Sequence, residues 1–252
     1  MRKLALLLLA TTLGLSGCHS NSKDEKYNNM SPTDIYQQGV KNAHKKRFEL
    51  AAEDFEALES RYPFGEFADK AQLGAIYAYY ENQDYPAAIP AIERFLRMYP
   101  RHPSVDYAYY MKGLAHFSET SGILTNYLPV ERADRDTVSF RKSLQAFHIL
   151  TTRFPDSIYA NDARQRMIYL RNILAEHELY AARYYFKKGA YLAAANRASN
   201  VITQFERAPV TAEALYIMVK SYRALALNTL ANDTFAVLTY NYPESDYVKK
   251  LG

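Results

Sequence analysis

The sequence predicts an all-α fold: an α-solenoid of about five stacked helix pairs, with an insertion in the third pair and one long helix leading into the fourth. Three observations carry this. Apolar residues recur at three- and four-residue spacing, as in Phe48, Ala51, Phe55, Leu58 and Tyr62, which marks one face of a helix. An aromatic residue ends such runs five times, at Tyr62, Tyr99, Phe154, Phe205 and Tyr242, and proline follows four of them at Pro63, Pro100, Pro155 and Pro243. Proline disfavours helical backbone in the residue before it, so each of these is a helix end. From Ser157 to about Lys188 there is neither proline nor glycine, which predicts one unusually long helix.

The chain opens with Arg2 and Lys3, then an apolar run from Leu4 to Leu15 and the sequence LSGC ending at Cys18. The run is too short to span a bilayer, and the whole is read as a cleaved leader over residues 1–17. A small residue directly before cysteine is the pattern of a bacterial lipoprotein signal, with Cys18 as the lipidated first residue. Cys18 is the only cysteine, so an internal disulfide is excluded and an anchor is its natural use. Aspartate, the common signal for inner-membrane retention, does not follow it, which points to the outer membrane. Removing residues 1–17 lowers the net charge from +4 to +2, too near balance to argue for nucleic acid. Residues 18–31 are polar and aperiodic and read as a flexible tether to the lipid.

The aromatic ends are separated by 37, 55, 51 and 37 residues. The shorter intervals lie near the period of the tetratricopeptide repeat, a helix–turn–helix unit closed by proline. Twelve positions before each proline stand Ala51, Ala88, Ser143 and Ala231, and eight before stand Phe55, Ile92, Phe147 and Phe235. Closely crossing helices need a small residue where their axes approach. The equivalent slot in the first helices is looser: Gly39 and Gly113 fit it, while Ile76 and Val219 do not. The expected organisation is repeats 1–3 over residues 32–156 and a long helix with repeats 4–5 over 157–252. One 55-residue interval is explained by an insertion of about 118–136, read equally as a lid on the solenoid or a partner site. The long helix is expected to start near a cap at Asp156 or Ser157 and to end before Gly189; whether it breaks near His177 is open.

Nothing in the sequence predicts an enzyme or a cofactor. The six histidines have no metal-ligand spacing, and there is no phosphate-binding glycine loop or nucleophile motif. The pairs Glu59-Ser60 and Glu244-Ser245, which a lytic transglycosylase would use, lie at repeat ends without a sugar-binding domain. Tyrosine is the anomaly, with 23 residues and no tryptophan. IYAYY at Ile76–Tyr80 is echoed by DYAYY at Asp106–Tyr110. First helices line the inner groove of such a scaffold. On that register Tyr36, Tyr77, Tyr80, Tyr107, Tyr110 and Phe117 are candidates for a shared peptide groove, with packing between helices as the alternative for each.

With RYPFG, AIERFLRMYPRHPSVDYAYYMKGL and VERADRD in view, the chain resembles the BamD family, the tetratricopeptide lipoproteins of the outer-membrane β-barrel assembly machinery. The resemblance covers essentially the whole chain and departs at the C-terminus, which stops soon after the last Tyr-Pro. It implies a non-enzymatic scaffold on the periplasmic face of the outer membrane, anchored by lipid on Cys18. The implied partners are a POTRA domain of BamA, other Bam lipoproteins and unfolded outer-membrane protein clients. Arg197, in AANRASN, matches the family's arginine on the BamA-facing surface. A tetratricopeptide lipoprotein of pilus assembly or of envelope and division coordination is the alternative, disfavoured by the insertion and RYPFG.

Overall fold

The computed structural model describes residues 26–120 and 137–252. The described residues form eleven helices and no strand, in two compact units that divide after Gln83. The first unit contains α1 (Pro32–His44), α2 (Phe48–Arg61) and α3 (Ala68–Glu81). The second contains α4 (Tyr85–Met98), α5 (Val105–Thr120), α6 (Val138–Arg153), α7 (Ala160–Lys187), α8 (Tyr191–Gln204), α9 (Thr211–Ala224), α10 (Asn228–Asn241) and the short α11 (Asp246–Lys249). Within each unit every helix packs on the next in sequence. The helix-pair repeat expected from the sequence is therefore present.

Each pair is ended by the same backbone device. Tyr62, Tyr99, Phe154, Phe205 and Tyr242 leave the helix with φ between −124° and −137° and ψ between 48° and 61°. Their N–H groups still donate to the carbonyl four residues back, on Leu58, Phe95, Leu150, Val201 and Leu238. Their carbonyls accept from the third residue on, namely Gly65, His102, Ser157, Ala208 and Ser245, at 3.0–3.1 Å. Those five residues in turn accept from Ala68, Val105, Ala160, Thr211 and Val248. The result is a double turn that reaches the following helix with the backbone groups satisfied. Phe205 makes the same hydrogen bonds with Glu206 in place of proline, and there Arg207 takes a positive φ of 66°, so proline is not required for the hydrogen-bond pattern.

Four of the other connections along the chain are equally regular. Three residues join α1 to α2, α3 to α4, α7 to α8 and α9 to α10, and the middle one has positive φ: Lys46 at 56°, Gln83 at 60°, Gly189 at 76° and Ala226 at 57°. Only one of the four is glycine, the residue that favours this conformation, which is why sequence reading does not find these turns by glycine alone.

The small slots behave as close packing demands. Ala51, Ala88, Ser143, Ala194 and Ala231 are all buried, and Ser143 uses its depth to donate Oγ–H to the Gly113 carbonyl at 2.7 Å. In the first unit the Phe55 ring lies against Gly39 of α1 and Gly74 of α3. In the second, a Cβ on Gly113 would meet the fully buried Phe147 ring at 2.3 Å.

Three details differ from the expectation. The long helix is unbroken through His177, but it starts at Ala160 rather than at an Asp156 or Ser157 cap. Ser157 belongs to the double turn, where its Oγ accepts from the Tyr159 N–H and donates to Asp106 Oδ2 at 2.7 Å. The expected tether of residues 18–31 has its last residues fixed to the fold: Tyr27 is buried in the first unit's core with Ile35, Ala51, Phe55 and Leu58. The expected parting of the chain at 156/157 falls where α5, α6 and α7 pack on one another. The leader, Cys18 and nearly all of the insertion lie outside the described residues.

Gly113→Ala is expected to lower stability by about 1–3 kcal/mol, because the buried Phe147 ring must move. Urea unfolding followed by circular dichroism checks this; an unchanged midpoint would show that the Gly113–Phe147 approach is not a constraint.

Candidate functional site

The six groove candidates fall in both units, and each unit places its own differently. In the first unit Tyr36 stacks on Phe67 at 5.0 Å between ring centroids and tilts on Phe55 at 6.0 Å. Tyr77 sits edge-on to Phe48 and is 40% exposed, and Tyr80 is half-buried. In the second unit Tyr110 stacks on Tyr159 at 4.8 Å and donates its hydroxyl to Asp162 Oδ2 at 2.8 Å. Burial and that carboxylate raise its pKa above the ordinary 10. Tyr107 also meets Tyr159, and Phe117 meets Phe140 and Tyr169. These rings therefore fill interfaces between helices as well as flanking the surface, and Tyr77 alone of the six is exposed.

Exposed aromatics also stand on the long helix, outside the first helices of the early pairs: Tyr169, Tyr180 and Tyr184 are all 40% exposed or more. α7 is rich in apolar residues, and its buried row of Leu170, Leu174, Leu179 and Ala182 leaves these tyrosines on its other faces, so composition alone does not mark them.

Arg197 does not stand free on α8. Its Nη1 donates to Glu178 Oε2 at 3.1 Å. Glu178, on α7, has a side chain only 5% exposed and also accepts from Arg141 of α6 and Asn200 of α8. A buried carboxylate needs such donors, so Arg197 has a structural duty in addition to any surface role. Near the C-terminus Arg183 grips Glu213 through Nε and Nη2 at 2.6 and 2.8 Å, and Tyr247 donates to the same carboxylate at 2.7 Å. The Arg183 hydrogen bonds hold the Glu213 carboxyl below its usual range, while burial and Glu213 push Tyr247 up to about 12. This links α7, α9 and α11.

The second unit also holds an open cleft of about 690 Å³ between α4, α5 and α6, lined by Glu93, Arg97, Tyr109, Lys112, His116 and Lys142 among others. Lys112 donates to Glu93 Oε1 at 2.7 Å, which lowers the Glu93 pKa. His116 is buried, and burial lowers its pKa below the ordinary 6.5 despite Glu119 at 3.5 Å. The lining is cationic on balance. The catalytic pairs weighed from the sequence serve structure: Glu59 accepts from Gln72, and the Ser245 hydroxyl caps α11. Among the described residues no group of histidine, cysteine and carboxylate side chains is arranged to hold a metal ion, and no helix is long and apolar enough to cross a membrane.

Residues 28–238 match the family YfiO, described as an outer membrane lipoprotein. Outer membrane protein assembly factor BamD of Neisseria meningitidis serogroup B is 37% identical over 99% of this chain and 95% of its own length. The proteins of the same name from Haemophilus influenzae and Vibrio cholerae are 34% and 33% identical, over 96% and 93% of this chain.

The buried His116 has a consequence for acid stability. Its folded pKa is depressed, so the unfolded chain takes up the proton first as pH falls through 6.5. Its contribution is complete above that value and is lost below it. Unfolding free energy measured between pH 7.5 and 5.5 is expected to fall less steeply for His116→Gln; parallel profiles would contradict this.

Proposed function

The chain belongs to the YfiO family of outer membrane lipoproteins, and on that premise we propose that it is a non-enzymatic scaffold for the assembly of outer-membrane β-barrel proteins. The observation that carries the proposal is similarity along nearly the whole chain to relatives named as assembly factors. A stack of helix pairs with exposed aromatic rings agrees with it. In this reading lipid on Cys18 holds the protein at the periplasmic face. The N-terminal repeats receive aromatic segments of unfolded clients, and the C-terminal repeats dock on a POTRA domain of BamA, with other Bam lipoproteins as further partners.

Among the groove residues, Tyr77 offers the ring that a client side chain can reach without displacing a neighbour. Aromatic residues bring large contact area to a binding surface at small entropic cost. Tyr77→Ala with Tyr80→Ala is expected to weaken binding of a client peptide ending in an aromatic residue by about tenfold, with the helical circular dichroism unchanged. Unaltered affinity removes this groove from the function.

For the docking half, Arg197→Glu is a poor test, because it would set a second carboxylate beside Glu178. Arg197→Gln keeps a donor for Glu178 and removes the charge. Pull-down from the native envelope in mild detergent is expected to recover BamA with the wild-type chain and markedly less with Arg197→Gln. Absence of BamA from the wild-type sample overturns the scaffold reading, and equal recovery with the variant discards the role of Arg197.

A further inference from the structure

We propose that the turn between α1 and α2 is a contact for anionic phospholipid headgroups, on the leaflet that carries the protein's own lipid anchor. The turn is Lys45-Lys46-Arg47, preceded by Lys41 and His44 on the last turn of α1, and all five side chains are exposed. From Ile35 to Phe48 the sequence contains no acidic residue.

The described end of the N-terminal segment, residues 26–28, runs back along the chain toward this turn. Asn28 is held at one end of the helix pair, accepting from Arg61 Nη2 in the last turn of α2. Going back along the chain, Lys26 and Tyr27 are bound further along, at Asp54 in the middle of α2. Asp54 is fully buried and accepts from Lys26 Nζ at 2.8 Å, Tyr27 Oη at 2.8 Å, Gln38 Nε2 at 2.9 Å and Asn42 Nδ2 at 2.6 Å. Asn42 lies in the closing turns of α1. The segment thus runs from the Arg61 end toward the Lys45–Arg47 end, and about 9 Å of helix separates Asp54 from Phe48. Eight residues separate Lys26 from Cys18, a reach of at most about 29 Å. A lipid on Cys18 therefore keeps the clipped Lys26 within about 29 Å of the headgroup layer, which leaves the basic turn within reach of it.

Repeat geometry does not call for this charge. The other described turns of the same three-residue form read Asn82-Gln83-Asp84, Lys188-Gly189-Ala190 and Leu225-Ala226-Leu227, so the backbone form is met without three cations. A helix C-terminus favours a base, yet α3 ends without one. Beside the turn is an open cleft of about 450 Å³, formed by Tyr36, Gln37, Val40, Lys41, His44 and Lys45. It offers an apolar floor with a cationic rim, which suits a phosphate joined to a glycerol. One membrane-bound chain segment plus a basic patch is a two-signal anchor, and each lysine or arginine at an anionic surface raises partitioning by about fivefold.

The inference rests on lipid anchoring at Cys18, and the experiment separates the two. Mature lipoprotein is inserted into preformed vesicles of phosphatidylcholine alone, or of phosphatidylcholine with phosphatidylglycerol, and floated on a density gradient. Acetylation of Lys45 and Lys46 is then followed by mass spectrometry. Lys70, exposed near the start of α3 just beyond the Arg61 end, is the internal reference. At least about threefold slower acetylation of Lys45 and Lys46 in the phosphatidylglycerol vesicles, reversed by high salt, is expected. Flotation with equal rates in both vesicles overturns the headgroup contact alone. Failure to float overturns the anchor and the contact together. Equal protection by soluble glycerol phosphate without vesicles overturns the membrane assignment in favour of a free-phosphate site.

Discussion

The architecture of both units depends on how a helix is made to stop. An aromatic residue held near φ −130° and ψ 55° keeps its N–H inside the helix it ends and gives its carbonyl to the turn it starts. Because both groups stay bonded, the chain reverses without leaving unsatisfied donors in a packed interface. The small residues at Ala51, Ala88, Ser143, Ala194 and Ala231 can then sit against the neighbouring helix at full burial. Without the fixed reversal those slots would face nothing in particular.

Much of this is legible in the sequence because sterics of that kind leave a local signature. Tyr-Pro ends, alanine twelve positions before proline and Phe55 or Phe147 eight before it are all short-range patterns. The positive-φ turns at Lys46, Gln83 and Ala226 were hidden, since the repeat geometry imposes the conformation on residues that do not favour it. α7 starts later than its sequence suggests because Ser157 has the chemistry of a helix cap but is used by the double turn and by Asp106. Long-range polar pairing was not legible at all. Asp54 and Glu178 look like surface acids in a helical sequence, yet each is buried and satisfied by donors from more than one element.

Those two carboxylates do comparable work in separate units. Asp54 fixes the N-terminal segment to α1 and α2, while Glu178 ties α6 and α8 to the long helix. Burying a charge is unfavourable unless every lone pair finds a donor, so each site accepts only the arrangement that supplies them. Apolar packing, being non-directional, would tolerate small slides of one helix along another. A satisfied carboxylate does not, and it therefore sets register where alanine and leucine only set distance.

The double turn also has a position whose side chain the fold leaves in solvent. Two residues beyond the aromatic stand Phe64, Arg101, Asp156, Arg207 and Glu244, all exposed, with no shared charge, size or polarity. Such a site is a label on the outside of a standard part. Its side chain is available to whatever meets the surface, while the hydrogen bonds beneath it are the same in all five turns. Phe64, 95% exposed, is the one label of the five written in an aromatic side chain.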